Sequence, residues 1–543
     1  MKTPKFGQRQ IADRKPSTRA SCDLYSRARL VNTGTNHGNT KCTMRERITF
    51  VHGAEDAFDP KQLQIQHDFF HIKSLKAARE DRVTASLYEL PQELWRALKQ
   101  CHELHVRWVS ERPFPSIVPF VSTTSPGLHI SFTPIKDRSA DLLCPLLLKV
   151  FGGRPKCTIP EDTFTGLPVL SERFASSAAY QYYELLPSLK ELVTYIQQKV
   201  CADNVLCKGR ADALNQAEYV DIDYDTISQS LVISAFWHSN ATTGSWDEQI
   251  DNQGGSVKIE VGVLANEKAT RPEELSLGGF LAVLGEDIKL NPTLFSFPSR
   301  HHLSPPTSGT NYSTAFIQPI GLHPTLRLTL PPSTTPPAPD CALHSYLTLP
   351  SSLFPDRYQL SSQNLLASNN LHSIRSLSGE TDLEAPNWAV SAWGSALLLE
   401  LAPPKTRSAQ WHADIPLHLR YLLPTNGGST NTSIPWPIIF WACSSDEGTK
   451  MNTNPFDRVN LGYDGLFGPR TMYYHLQPTN AGQQLVEDLK VPVLDMNEAK
   501  VKWVEAGTVV VVLLGFLWVC WTLGRVVAKD FGWEKGTGRR KKD

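Results

Sequence analysis

Most of the signals that identify an enzyme or a nucleic-acid-binding protein are missing from this sequence. The 543 residues contain 54 Lys and Arg against 54 Asp and Glu, so the formal net charge is zero and no overall field attracts nucleic acid. There is no glycine-rich phosphate loop, no G-x-S-x-G and no H-E-x-x-H motif. Catalytic triads assemble in space, so these absences do not exclude catalysis. We nevertheless assign no catalytic, cofactor-binding or metal-binding residue, and we expect no cofactor.

A cysteine-based metal site is also unsupported. Seven of the ten cysteines lie between Met44 and residue 505, and none forms a C-x-x-C pair with a histidine cluster beside it. The pair His301-His302 has no neighbouring carboxylate or cysteine in the sequence, which favours a plain loop. Spread-out cysteines permit disulfides without requiring them.

Only one apolar run is long enough to cross a membrane. Residues 506–524 (AGTVVVVLLGFLWVCWTLG) contain no charge and no proline. At about 1.5 Å per residue they span roughly 28 Å as a helix, close to the ~30 Å hydrocarbon core of a bilayer. Seven Lys and Arg follow the run, whereas residues 495–505 contain only Lys500 and Lys502. Because cytosolic flanks carry the excess of Lys and Arg, the pattern predicts a cytosolic tail and a luminal bulk.

The opposite topology stays open at this stage. Residues 1–30 contain no apolar core of the 7–15 residues that a signal peptide needs, and a short tail suits insertion after synthesis. A cytosolic, tail-anchored protein is therefore the alternative. If the bulk is luminal, the sequons at Asn240, Asn311 and Asn431 are the expected N-glycosylation sites. The terminal Arg540-Lys541-Lys542 loosely resembles a basic retrieval signal of the endoplasmic reticulum.

The first 43 residues differ from the rest of the chain. They carry nine Lys and Arg, two Asp and no apolar periodicity, which predicts a disordered basic extension. Met44 opens MRERITFVHG, where a strand-like run begins. The folded protein is therefore expected to start at Met44, and residues 1–43 could be an upstream extension.

The pattern of apolar and turn residues predicts a mixed fold for the remaining chain. An α+β region is followed by an all-β, sandwich-like region, in which short β-like runs alternate with turn signals. Apolar spacing predicts helices over 91–105 and 180–200 in the α+β region. The predicted boundaries are an α+β luminal domain over 44–290, a Pro/Ser-rich linker over 291–313, an all-β domain over 314–493, a juxtamembrane segment over 494–505, a transmembrane helix over 506–524 and a basic tail over 525–543.

One acidic stretch has a pattern associated with catalysis. Residues 221–225 (DIDYD) contain two overlapping D-x-D patterns, which can hold a divalent cation and a sugar diphosphate because hard cations need several oxygen ligands. The same pattern arises often by chance. Beside Glu218 and before a strand-like run, it reads more simply as a solvated turn.

Four ordered segments resemble a known family. The run 415–424 (IPLHLRYLLP) resembles the PIG-X family signature, in which a His-x-Arg-Tyr core is followed by proline. The segments 347–360 (LTLPSSLFPDRYQL), 388–401 (WAVSAWGSALLLEL) and 435–443 (PWPIIFWAC) stand in the family's order, and a single anchor closes the chain. The long N-terminal region resembles the fungal branch, the protease-B-nonderepressible proteins.

The resemblance implies a non-catalytic, stabilising subunit of glycosylphosphatidylinositol (GPI) mannosyltransferase I in the endoplasmic reticulum membrane. Its partners would be membrane lipid and a polytopic, PIG-M-like catalytic subunit that adds the first mannose to the GPI precursor, with no nucleic acid. The D-x-D pattern would then have no catalytic role, because the acidic catalytic motif would belong to the partner. A broader luminal chaperone for membrane and vacuolar proteins is the alternative, and an enzyme acting through residues 221–225 is a third hypothesis.

Two groups of residues in the β domain are candidates for a role in this function. On a strand, His418 and Arg420 share one face and could form a polar patch that contacts the partner, whereas Tyr421 shares the other face with Leu417 and Leu419. The alternative is that Tyr421 is a core residue and that Arg420 only pairs with a carboxylate such as Asp414. Cys341 and Cys443 are the only cysteines of this domain, so a disulfide between them and an unpaired coincidence both stay open.

Overall fold

A computed structural model describes residues 44–53, 59–67, 69–135, 138–170, 178–251, 257–304, 311–381, 385–403, 410–479 and 484–530. The predicted basic extension over 1–43 and most of the predicted tail, 531–543, lie outside these residues. The described chain is mostly β-sheet with few helices and one long apolar helix at its C-terminal end, which confirms the predicted fold class.

The largest sheet has eleven strands and is built almost entirely from the predicted α+β region. Only β1 and β12 pair in parallel; the other neighbours are antiparallel. In spatial order the strands are β14 (Asn291–Pro298), β13 (Glu274–Val283), β12 (Lys258–Glu267), β1 (Arg45–His52), β4 (Ala78–Ser86), β10 (Ser230–Trp237), β9 (Tyr219–Asp225), β5 (Cys101–Val109), β6 (Gly127–Pro134), β8 (Ala178–Glu184) and β7 (Thr165–Leu170). A small sheet adds β11 (Trp246–Asp251), β3 (Phe69–Leu75) and β2 (Leu63–Ile65).

The predicted β domain contributes four further sheets. The six-stranded one runs β15 (His301–Leu303), β26 (Thr471–His475), β25 (Ile438–Ser444), β18 (Ala342–Pro350), β21 (Gly394–Leu401) and β20 (Leu371–Gly379). The four-stranded one runs β22 (Trp411–Pro416), β17 (Thr325–Leu330), β16 (Asn311–Phe316) and β27 (Gln477–Pro478). Two-stranded sheets pair β19 (Leu353–Phe354) with β23 (His418–Leu419) and β24 (Ser429–Pro435) with β28 (Val486–Pro492).

Six short helices and one long helix occur in the described part of the chain. They are α1 (Gln92–Leu98), α2 (Leu143–Val150), α3 (Pro160–Thr163), α4 (Lys190–Tyr195), α5 (Val205–Ala213), α6 (Gln363–Ser368) and α7 (Glu498–Asp530). Within α7, Ala499–Ala528 is long and apolar enough to cross a membrane, in agreement with the predicted anchor.

Both helices predicted in the α+β region are shorter than expected, because buried strands begin or end inside them. The range 91–105 ends as a helix at Leu98, and the β5 strand starts at Cys101. From there the residues are buried almost without interruption, as in a strand covered on both faces. The range 180–200 begins in β8, and its helix starts only at Lys190, after Pro187.

The predicted linker over 291–313 also contains strands. Residues Asn291–Pro298 form β14 and His301–Leu303 form β15. The first of these strands was not predicted because it contains Pro292 and Pro298, and proline is compatible only with edge strands. The β14 strand does lie at the edge of the sheet. Its Phe297 is buried in an aromatic cluster, 5.3 Å from Phe456 between ring centroids.

The described residues form two compact units. The first consists of the described residues within Met1–Glu384, Val390–Arg420 and Ser433–Glu487, and the second of the described residues within Ala385–Ala389, Tyr421–Thr432 and Asp488–Asp543, so the second includes α7. The main core of the first unit combines Trp108 and Leu143 with Phe440 and Tyr473. Residues before position 291 and residues after position 313 therefore belong to one core, which the predicted α+β and β regions share.

Three disulfides are present among the described cysteines. They join Cys144 to Cys157, Cys201 to Cys207, and Cys341 to Cys443. The last pair follows from strand register: Ala342 of β18 stands opposite Ala442 of β25, so the next positions of this antiparallel pair, Cys341 and Cys443, also face each other. Their Cα atoms are 4.2 Å apart.

The Cys341–Cys443 bond should contribute measurably to stability, because it joins positions 102 residues apart and so restricts the unfolded chain strongly. We expect the double variant Cys341→Ala/Cys443→Ala to lose about 2–4 kcal/mol of unfolding free energy in urea titrations of the protein in mild detergent. Cys201→Ala/Cys207→Ala is the matched comparison, since that bond spans only 6 positions and should matter less. An equal or smaller loss for the long-range pair would contradict the prediction.

Candidate functional site

The acidic stretch 221–225 lies in β9, near the middle of the eleven-stranded sheet. Strand register places Arg107 of β5 opposite Asp221 and His105 opposite Asp223. Arg107 Nε lies 2.9 Å from Asp221 Oδ1, and Arg458 Nε lies 2.8 Å from Asp221 Oδ2. The side chains of Arg107 and Asp221 are 2% and 1% exposed. Its neighbours in the sequence suggested a solvated turn at Asp221. The structure instead places Asp221 at a buried position of a strand.

The second carboxylate of the pattern completes a buried ion cluster. His105 Nδ1 lies 2.5 Å from Asp223 Oδ1, and the guanidinium groups of Arg107 and Arg458 are 3.7 and 3.8 Å from this carboxylate. Burial favours the neutral acid, but the hydrogen bond from His105 and the two arginine charges outweigh it and hold the pKa of Asp223 well below its usual range. Burial raises the pKa of Asp221 to about 6, with Arg107 and Arg458 opposing the rise.

The third aspartate of the pattern has a different and local role. Asp225 accepts hydrogen bonds from the backbone N–H groups of Ile227 and Ser228, both at 2.8 Å. It thereby closes the turn between β9 and β10, as aspartate commonly does. Only this end of the DIDYD stretch matches the turn that the sequence suggested.

The arrangement of the cluster is that of a structural ion network. Two carboxylates face two guanidinium groups, so a divalent cation or a sugar diphosphate would have to displace charges that the chain itself supplies. Arg458 and Asn460 lie between β25 and β26, and Arg107 Nη1 donates to the Asn460 carbonyl at 3.0 Å. The cluster therefore ties this segment to the large sheet.

The described residues contain no group of three or more His, Cys, Asp and Glu placed to hold a metal ion. His301 and His302 lie on β15 rather than in a loop. His302 Nε2 donates to the Ser299 carbonyl at 2.8 Å, and His301 Nδ1 lies 3.1 Å from His475 Nε2. Burial lowers the pKa of all three imidazoles, which keeps them neutral inside the sheet packing.

His418 of the family-like signature lies half-buried on β23, opposite Phe354 of β19. Its Nε2 donates to Gln359 Oε1 at 2.9 Å, so its Nδ1 is the acceptor for His323 Nδ1–H, 3.0 Å away. Burial and the neighbouring His323 lower the pKa of His418. The side chain is thus engaged within the protein and only partly available to a partner.

The structure contradicts the exposed patch predicted around Arg420. Arg420 is only 3% exposed, its guanidinium lies 4.3 Å from the Phe354 ring centroid, and its Nη2 donates to the Glu380 carbonyl at 3.4 Å. Asp414, the carboxylate that the alternative took as an example, forms a two-pronged ion pair with Arg327 instead, at 2.7 Å.

Tyr421, which the strand pattern assigned to the core, is 69% exposed. The reason is that β23 ends at Leu419, so the alternation of faces does not extend to residue 421. The LLP run that follows Tyr421 could have indicated this end, since the residue before a proline tends to leave regular structure. Sequence reasoning therefore selected the buried arginine and missed the exposed tyrosine.

The three sequons all lie at accessible positions. Asn311 at the start of β16 and Asn431 in β24 are exposed. Asn240 is partly exposed in a turn, where its Oδ1 accepts from the Thr242 backbone N–H at 3.0 Å. Accessibility is required for glycosylation, and the modification itself stays a prediction.

Fold and site together define a β-rich protein with one C-terminal helix suited to span a membrane and an acidic motif that the chain neutralises internally. Sequence comparison makes this more specific. A family model described as PIG-X / PBN1 matches residues 319–524. The protein named pbn1 from Emericella nidulans is 50% identical over 90% of this chain and 97% of its own length. The Neurospora crassa protein of the same name is 42% identical over 90% and 96%. The chain belongs to the PIG-X / PBN1 family.

Solved structures add nothing to this assignment. The collagen binding domain of Erysipelothrix rhusiopathiae surface protein RspB covers 71% of this chain at 9% identity, with a TM-score of 0.14. A similarity this low carries no argument about fold or function.

Proposed function

We propose that this protein is a non-catalytic, stabilising subunit of GPI mannosyltransferase I in the endoplasmic reticulum. It would hold a polytopic, PIG-M-like catalytic subunit in its active form during addition of the first mannose. In this proposal the first compact unit and the part of the second unit that precedes α7 are luminal, α7 crosses the membrane once, and the basic tail is cytosolic.

Family membership over nine-tenths of the chain is the observation that supports the proposal most strongly. The D-x-D pattern supports the non-catalytic role, because Asp221 and Asp223 are bound by Arg107, Arg458 and His105 of the same chain. The catalytic acids would then belong to the partner.

Depletion of the protein tests this function. GPI precursors that lack mannose should accumulate before any general defect in folding of luminal proteins, and the level of the catalytic subunit should fall. Overproduction of that subunit should restore part of the mannosylation, since a stabiliser can be bypassed by mass action. Earlier failure of unrelated luminal proteins would favour the chaperone alternative instead. A complete block despite restored levels of the catalytic subunit would contradict a purely stabilising role.

The topology has its own test. If the bulk is luminal, treatment with a glycosidase should increase the electrophoretic mobility of the protein, and Asn240→Gln, Asn311→Gln and Asn431→Gln should each remove one step of that shift. A variant that replaces the threonine or serine of each sequon by alanine controls for effects of the asparagine itself. A mobility that glycosidase leaves unchanged would contradict luminal exposure of these sites.

A further inference from the structure

The second compact unit contains, besides α7, a group of short segments at the start of that helix, which we call the collar. It consists of Ala385–Ala389, Tyr421–Thr432 and residues 488–497. Backbone hydrogen bonds join the three segments: Asn387 N–H to the Tyr421 carbonyl at 3.0 Å, and Thr425 N–H to the Leu494 carbonyl at 3.1 Å. The collar is thus a hydrogen-bonded element rather than a loose tether.

The collar is joined to α7 through a capped helix start. Asp495 accepts from the Asn497 backbone N–H at 3.1 Å and from Lys500 Nζ at 2.9 Å. Asn497 Oδ1 in turn accepts from the Ala499 N–H at 3.1 Å. Capping of this kind fixes the direction in which the chain enters the helix. The orientation of the collar around the helix axis is therefore set by α7.

The collar exposes an unusual number of large apolar side chains. The exposed fractions lie between 51% and 69% for Trp388, Tyr421, Leu423, Leu494 and Met496. Each segment of the collar contributes at least one of them. Scattered single apolar residues are ordinary on a surface, but a group gathered on one small element indicates an interaction site. The question is what covers it.

The length of α7 argues against membrane lipid as the occupant. The helix runs without interruption from Glu498, and its apolar stretch begins at Ala506, so about eight residues or roughly 12 Å of helix project beyond the hydrocarbon. The polar headgroup layer is only about 5–8 Å deep on each side, and a typical tilt of about 20° shortens the projection by less than 1 Å. The collar therefore starts above the headgroups.

Trp503 supports this placement of the helix. It is 80% exposed and lies three residues before Ala506, about 4–5 Å along the axis, which is the depth at which tryptophan concentrates at membrane interfaces.

We propose that the collar docks onto an apolar luminal loop of the polytopic subunit while α7 lies beside that subunit in the bilayer. This inference rests on the proposed function and adds the contact surface to it. The occupant must sit directly above the bilayer, at the side of α7, which a luminal loop of a membrane protein does. It should be apolar rather than charged, because Lys500 and Asp495 at the base of the collar already pair with each other.

Serine substitutions in the collar test the proposal in the full-length protein. Tyr421→Ser, Leu423→Ser and Leu494→Ser combined should reduce the amount of polytopic subunit that copurifies in mild detergent at least tenfold. The control is Ile288→Ser with Leu294→Ser, two apolar residues of the first unit that are at least as exposed, and it should retain the partner. Unchanged urea midpoints would show that both variants fold. Copurification equal to the wild type in the collar variant would overturn the proposal.

The same experiment separates this proposal from the proposed function. If the wild-type protein copurifies no polytopic mannosyltransferase subunit, the proposed function fails and the collar proposal with it. If the wild type does so and the collar variant does equally well, only the collar proposal fails. A cross-linker attached through Met496→Cys gives an independent readout: a product with the polytopic subunit supports the proposal, and a product with lipid or with a second copy of this chain overturns it.

Insertion of residues into the projecting part of α7 tests the fixed orientation. Two alanines added after Val504 rotate the collar by about 200° around the axis, whereas four rotate it by only about 40°. We expect the two-residue insertion to lose the partner and the four-residue insertion to retain a substantial part of it. Equal retention by both would overturn the proposed geometry.

Discussion

Replacing Arg107 with methionine is expected to lower the free energy of unfolding by about 3–5 kcal/mol, the usual cost of removing one partner from a buried ion pair. The reason is that Asp221 would keep only Arg458, while Asp223 would keep only His105 at close range. Against a total stability of about 5–15 kcal/mol, this loss is large. It should appear as a lower urea midpoint in mild detergent and as a lower steady-state level in cells.

Two further variants make this prediction specific to the ion cluster. Arg45→Met removes an exposed arginine at the start of β1 and should change stability by no more than about 0.5 kcal/mol. The double variant Arg107→Met/Asp221→Asn should cost less than the sum of the two single changes, because it leaves no uncompensated charge between them. Additive losses would show that the two residues do not act as a pair.

Local features of the fold could be predicted from the sequence because they depend on neighbouring residues. The anchor is one uninterrupted apolar run, and α7 contains all of it. The β texture of the chain after residue 314 likewise follows from short alternating runs between turns. The disulfide between Cys341 and Cys443 required in addition the register of two strands, which the sequence does not show.

The ion cluster could not be predicted because its members are distant in the chain. Arg107 and Asn460, which are hydrogen-bonded, are 353 positions apart. Read locally, Asp221 and Asp223 resemble a metal motif or a turn. Their actual role depends on the pairing of β5 with β9 and on Arg458, which lies in the segment between β25 and β26. The sequence around residue 221 contains no signal for either contact.

The signature around His418 shows a different kind of limit. Alternation along a strand is reliable only while the strand continues, and β23 is two residues long. The assignment of faces therefore failed for Arg420 and for Tyr421, directly after the end of the strand. As a consequence, the candidate contact surface moves from Arg420 to Tyr421 and the collar.

Acidification is expected to destabilise the first unit between about pH 6.5 and pH 4. Burial lowers the pKa of His129 and His344 to about 4 and that of His475 to about 3, against about 6.5 in an unfolded chain. Below pH 6.5 the unfolded chain therefore binds more protons than the folded protein. The free energy of unfolding decreases as the pH decreases for this reason. At pH 5 each histidine should cost about 2 kcal/mol, or about 6 kcal/mol together.

Buried carboxyl groups with a raised pKa act in the opposite direction, and Asp221 is the one within the ion cluster. Asp221 has a folded pKa of about 6, above its unfolded value, so it takes up a proton in the fold as the pH falls and offsets roughly 1 kcal/mol at pH 5. The three histidines outweigh Asp221, because each costs about 2 kcal/mol at pH 5 whereas Asp221 offsets only roughly 1 kcal/mol. The net expectation is a urea midpoint that is clearly lower at pH 5 than at pH 7.5.

Substitution of His344 tests which groups carry this pH dependence. Its ring stacks on Phe440 with the ring centroids 5.6 Å apart, and its Nδ1 donates to the Ala342 carbonyl at 3.0 Å, so phenylalanine should fit the site. His344→Phe is expected to reduce the loss between pH 7.5 and pH 5 by about 2 kcal/mol, because it removes one of the buried imidazoles whose pKa is lowered in the fold. His372→Gln, whose side chain is 64% exposed, should leave the loss as it is. If the wild-type protein has the same urea midpoint at both pH values, these imidazoles are protonated in the folded state without loss of stability, which contradicts the prediction.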